Sequence, residues 1–201
     1  DRESDDEYIK KVVKKRWEAF YDFKSREPAV LGSQNKLYNA HLLVHELTHL
    51  NSFQSLQLVD KKMKVVRNRR NGFMIENAKK DIYFFTDIDE AVIEELAIKF
   101  DREYFKSIPG LSEEFKQREE FIKILIDDYP EEKDFLEGVS FIENNGGDFL
   151  VHSTMGEERK TLNKLIETIC EKNSLKDTEE VFNIFARAVM NGNLLPVARL
   201  I

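Results

Sequence analysis

Between Asn35 and Leu58 the chain runs 24 residues without a glycine or proline and contains His45-Glu46-Leu47-Thr48-His49. Leu37, Leu42, Leu43, Val44, Leu47, Leu50 and Phe53 cover much of its surface, so the segment reads as a central helix spanning 35–58. Residues four apart share a helix face, which sets His45 and His49 side by side. Two imidazoles in that relation can hold one cation. With four histidines in 201 residues, a chance match to this pattern arises about once in a hundred such chains. The burial expected of the segment adds weight, because unpartnered His and Glu are costly there.

Zinc suits the pair, since it takes neutral imidazole nitrogens and carboxylate oxygens at ~2.0–2.2 Å in a tetrahedral arrangement and leaves one position to water in catalytic sites. Glu46 follows the first histidine, where its carboxylate reaches such a water, making it the candidate general base. His41 lies one turn earlier on the same stripe. Three histidines on one straight stripe do not converge on one tetrahedral ion, so His41 is assigned to packing or to support of the site.

A third ligand has to come from further along. A histidine six residues past His49, preceded by a glycine, is absent: Ser52 and Ser55 stand in those places. A downstream carboxylate is therefore expected. Asp87-Ile88-Asp89-Glu90-Ala91-Val92-Ile93-Glu94-Glu95-Leu96 supplies Glu90 and Glu94 four apart on one helical face, so one can bind the ion and the other can accept a hydrogen bond from a ligating histidine.

With these residues the segment from 35 to 105 resembles the gluzincins, the thermolysin-like zinc peptidases in which a glutamate helix follows the HExxH helix. The resemblance implies Glu90 as third ligand, Glu94 as orienting acid, a Zn2+ cofactor and a peptide or protein substrate. It departs from the pattern in two places. Glu94 stands where an aspartate is common, and about forty residues separate His49 from Glu90, a longer interval than in thermolysin. Inserted strands between 63 and 85 account for the excess. The expected mechanism is amide hydrolysis in which the metal polarises the scissile carbonyl and a water, while Glu46 takes that water's proton and passes it to the leaving amine. Donors for the developing oxyanion are sought in the downstream half, with His152, Tyr104 and Tyr129 eligible.

Elsewhere the chain reads as follows. Glu7 to about Lys24 has helical spacing through Tyr8, Val12, Val13, Trp17, Phe20 and Tyr21, ending at a break marked by Pro28 and Gly32. Met63–Val66, Phe73–Ile75 and Ile82–Phe85 read as short strands, with the basic run Arg67-Asn68-Arg69-Arg70 at a solvated hairpin tip beside Asn71-Gly72. Ile88 to about Phe105 is helical, capped by Asp87 or Asp89. Helices are expected over 112–127, 131–142, 156–171 and 178–190, with Asn144-Asn145-Gly146-Gly147 as punctuation. The fold class is thus α+β and predominantly helical: a zincin-like core with a central HExxH helix, a small antiparallel sheet and a C-terminal helical half. The division falls at 1–106 and 107–201, the two parts packed as one unit.

Composition excludes several classes. A net charge of −7 provides no positive field for nucleic acid. The lone Cys170 excludes a disulfide framework and cysteine-rich zinc sites, and its helically spaced apolar neighbours assign it to a core. No apolar run reaches the ~18 residues of a membrane span. The Asp1–Asp6 start carries no signal-peptide pattern, so the expected compartment is the cytoplasm, and a start at Asp1 rather than Met leaves room for an upstream segment. Two alternatives to a peptidase remain open. One is a regulatory or catalytically silent zinc-binding module, and the other is a helical interaction protein whose HExxH is incidental.

Overall fold

The computed structural model describes residues 19–22, 27–30, 35–58, 66–77, 82–145 and 148–201. Its strands are β1 (Ala19–Asp22), β2 (Glu27–Val30), β3 (Gln54–Leu58), β4 (Val66–Asn71), β5 (Met74–Glu76), β6 (Tyr83–Phe84), β7 (Val139–Asn145) and β8 (Asp148–Ser153). Its helices are α1 (Lys36–Asn51), α2 (Thr86–Tyr104), α3 (Ser112–Asp128), α4 (Lys133–Glu137), α5 (Gly156–Asn173), α6 (Thr178–Asn191) and α7 (Leu195–Ala198). The chain is predominantly helical, with a four-stranded antiparallel sheet in the order β3-β4-β5-β6 and two separate hairpins, β1–β2 and β7–β8. No helix of the described residues is long and apolar enough to cross a membrane.

α1 starts where its sequence offers a cap. The Asn35 side chain accepts the Tyr38 amide at 2.9 Å, satisfying one of the free donors of the first turn. The helix stops at Asn51 rather than running to Leu58. There, tertiary hydrogen bonds replace the helical ladder: the Phe53 amide donates to the Val189 carbonyl at 2.9 Å and the Phe53 carbonyl accepts from Gly72 at 2.8 Å. Gln54–Leu58 then pairs with β4. The buried face of α1 is also the polar one. Leu37, Tyr38, His41, Leu42, His45, Glu46 and His49 are inside, whereas Leu43 and Leu47 are exposed.

The basic run lies within β4, and the turn falls one step later on Gly72 and Phe73, between Asn71 and its partner Met74. Gly72 takes φ 53°, the left-handed region that a tight hairpin turn demands at its first central residue. Arg70 is partly buried, donating to the carbonyls of Gly72 at 2.8 Å and Gly192 at 2.9 Å while lying over the Phe53 ring. α2 begins without a side-chain cap. Phe85 precedes it in the left-handed conformation, and Asp89, one of the two expected caps, points inward instead.

Parts of two segments expected to be helical are hairpin strands. The helix expected over 7–24 falls largely outside the described residues, but its end, Ala19–Asp22, is a strand paired with Glu27–Val30, and the hairpin packs on α1. Four aromatic-rich residues fit either period, and Pro28 is accommodated because each strand of a two-stranded sheet has a free edge. The helix expected over 131–142 shortens to Lys133–Glu137, and Val139–Asn145 pairs with Asp148–Ser153. Apolar runs on either side of a two-glycine spacer favour a hairpin over helix punctuation.

Among the described residues the largest core joins α2 to α5 and α6: Ala91, Val92 and Ile93 pack with Leu162, Ile166, Ile169, Val181, Phe185 and Val189, and Cys170 is a buried free thiol within it. Residues on both sides of position 106 share this core. It holds one face of α2, leaving the carboxylate-bearing face to α1.

Candidate metal centre

α1 and α2 are packed against each other, and their side chains meet in antiparallel order. His49 faces Glu90, His45 lies between Glu90 and Glu94, and His41 lies between Glu94 and Asp101. A histidine ladder with a four-residue step thus faces a carboxylate ladder.

At one end the donor atoms converge. The Nε2 atoms of His45 and His49 are 3.2 Å apart, and Glu90 Oε2 is 3.3 Å from the first and 3.2 Å from the second. Four-coordinate sites with bonds of about 2.0–2.1 Å have ligand-to-ligand edges of about 3.3–3.4 Å, so these atoms trace one face of such a tetrahedron. They form a group that can hold a metal ion. The histidines are buried, and Glu90 is the most open of the three, its side chain keeping 26 % of its surface exposed.

The tautomer of His45 follows from its other nitrogen. His45 Nδ1 donates to Glu94 Oε2 at 2.8 Å, which leaves the Nε2 lone pair for a cation. With no cation, a proton takes that position: burial opposes charge on the ring, but hydrogen bonds to Glu90 and Glu94 outweigh it and raise the His45 pKa to about 10. Glu90 and Glu94 answer in the opposite sense. Burial pushes each up, yet contact with His45 and His49 for Glu90, and with His41 and His45 for Glu94, holds both well below the usual carboxylate range.

Glu46 is buried next to this group. Desolvation raises its carboxyl above the ordinary value of 4.5, against the pull of His45 and His49. A carboxylate of raised basicity beside two histidines that can hold a metal ion is suited to taking and returning a proton.

Sequence reasoning missed several neighbours. Asp89 is buried and accepts the Phe73 amide at 2.7 Å, which ties the β4–β5 turn to the residue before Glu90; its Oδ2 lies 3.9 Å from His49 Nδ1. Thr154, just past β8, donates to Glu94 Oε1 and lies 3.2 Å from His41 Nε2. Asp101 accepts from His41 Nδ1 at 2.8 Å. Asp101 had a findable signal, since it stands seven residues after Glu94 on the same helical face; Thr154 had none, being sixty residues away in a loop.

Of the eligible oxyanion donors, the two whose side chains are described lie on the surface. Tyr104 is exposed at the end of α2, fourteen residues beyond Glu90 and so roughly 21 Å along the axis, and Tyr129 is exposed at the end of α3. His152 falls in β8 opposite Phe141, and its side chain lies outside the described residues.

Comparison with protein-family models, curated proteins and solved structures returns no match to this chain.

Proposed function

We propose that the chain is a zinc-dependent peptidase with a zincin-like core, in which His45, His49 and Glu90 hold the metal and Glu46 is the general base. The observation that carries the reading is the near-equilateral triangle of His45 Nε2, His49 Nε2 and Glu90 Oε2, with edges of 3.2, 3.3 and 3.2 Å, beside the buried Glu46. Two nitrogens and one oxygen with a remaining open position form the donor set of catalytic zinc sites. Zinc held there would supply Lewis acidity, polarising an amide carbonyl and bringing the pKa of water to about 7.

The residues of the chain account for the rest. Glu46 removes a proton from water as it attacks the carbonyl, so hydroxide equivalent adds to carbon while the proton stays on the carboxyl. When the C–N bond breaks, Glu46 returns that proton to the amine, which leaves neutral. Burial of Glu46 favours this shuttle by holding its basicity above that of an exposed glutamate. Glu94 fixes the His45 ring through Nδ1 and keeps Nε2 directed at the metal position.

The test is cleavage of a degenerate peptide library by zinc-loaded protein, read by mass spectrometry. New termini with wild type and none with Glu46→Gln, at equal zinc content, support the peptidase. Equal cleavage by both proteins, or stoichiometric zinc with no cleavage by either, rules it out.

A further inference from the structure

Beyond the three metal-binding side chains, the two helices continue the same ladder for another turn. His41 is fully buried, with 0 % of its surface exposed. Both of its ring nitrogens face carboxylates: Nδ1 lies 2.8 Å from Asp101 Oδ2 and Nε2 lies 3.1 Å from Glu94 Oε1. An imidazole whose two nitrogens both donate is an imidazolium. Asp101 is itself buried and has the Arg118 guanidinium 3.9 Å from the same Oδ2. The resulting chain of contacts runs Arg118, Asp101, His41, Glu94, His45, and ends at the metal position.

Glu94 is the junction. Its Oε2 accepts from His45, while its Oε1 accepts from His41 and Thr154. A carboxylate with only one partner can rotate about its terminal bond, whereas one held at both oxygens cannot without breaking contacts on both sides.

We infer that His41 and Asp101 are positioning residues for the metal centre, acting through Glu94. Neither touches the metal position. Together they set the plane of the Glu94 carboxylate and so the direction of the His45 lone pair. The inference rests on the metal site proposed above and extends it by one residue on α1 and one on α2.

The experiment is a double-mutant cycle on the full chain. Zinc affinity is measured by chelator competition and the visible absorption of the cobalt-substituted protein is recorded for wild type, His41→Gln, Asp101→Asn, Glu94→Gln and the paired variants. Removing a partner that orients a ligating histidine typically weakens metal binding about 10–100-fold, and one further contact away the expected loss is roughly tenfold, with a shifted cobalt band. In the Glu94→Gln background, His41→Gln and Asp101→Asn then add less than about twofold, because the path is already cut. Losses that multiply in full across the pairs, or single-variant affinities and cobalt spectra equal to wild type, overturn the positioning role while leaving the metal centre intact. Wild-type protein that binds no zinc overturns both readings. Asp101→Asn keeps the acceptor and volume of Asp101, so it carries the same decision if His41→Gln does not fold.

Discussion

His45 and His49 direct their Nε2 atoms to within 3.2 Å of each other, with Glu90 Oε2 completing the triangle. Three lone-pair donors at that separation repel unless a cation or a shared proton lies among them. His45→Ala or His49→Ala is therefore expected to drop bound zinc from one per chain to a small fraction. Elemental analysis after dialysis gives the result, and full retention by both variants would falsify the assignment of ligands.

Glu46→Asp keeps the charge but withdraws the carboxylate by one methylene. Proton transfer depends on reach of a few tenths of an ångström, so turnover should fall by about 10²-fold or more with zinc content unchanged. Single-turnover cleavage of an optimised peptide provides the measure. A rate within threefold of wild type contradicts the role of Glu46.

Glu94→Gln retains the shape of the side chain and replaces the charge that His45 Nδ1 meets at 2.8 Å. Zinc affinity should weaken about 10–100-fold. Chelator competition at fixed pH reads this directly, and an unchanged Kd counts against the carboxylate–histidine pairing.

Stability of the metal-free protein should depend on pH through His41. Burial opposes its charge, and Glu94 and Asp101 outweigh burial, raising its pKa from 6.5 to about 9. A raised folded-state pKa stabilises fully below 6.5 and loses that contribution as pH rises through 9, with an upper limit of about 3 kcal/mol. His45, raised to about 10 by Glu90 and Glu94 against burial, acts in the same direction when no metal is bound. Chemical denaturation in the presence of a chelator should show stability falling from pH 6.5 to 9, with a smaller fall for His41→Gln. Identical slopes for the two proteins exclude the His41 contribution.

Gly72→Ala should destabilise the fold by roughly 1–3 kcal/mol. Gly72 sits at φ 53°, and an added Cβ would lie 2.1 Å from Asp89 Oδ1, the atom that accepts the Phe73 amide. The midpoint of urea unfolding measures the loss. A midpoint equal to wild type means that the turn and Asp89 can separate freely.

Much of the candidate metal centre was legible because its geometry is local. His45 and His49, and Glu90 and Glu94, are each one turn apart on uninterrupted helices, and a four-residue interval determines a shared face whatever surrounds it. The limits of α1 were less legible. Gln54–Leu58 continues an acceptable helical pattern, but the Phe53 amide donates to Val189, the Phe53 carbonyl accepts from Gly72, and the segment pairs with β4 as a strand. The apolar runs of β7 and β8 fit both periods, so the sequence pattern does not separate a hairpin at Gly146-Gly147 from a helix end. Arg67–Arg70 abuts the Asn71-Gly72 turn and so reads as a tip, although β pairing with residues 55–57 draws it into the sheet.

By itself, then, the sequence determined a helix bearing two histidines on one face, a second helix bearing paired glutamates, and a mostly helical α+β chain. Tertiary structure decided which side of α1 is buried, and the answer was the polar side. His41, His45, Glu46 and His49 face inward because α2 presents Glu90, Glu94 and Asp101 to receive them, while Leu43 and Leu47 stay exposed. Helical period reports which residues share a face, but the choice of buried face depends on the partner's chemistry. That partner is supplied by residues 41 to 60 positions away in the chain.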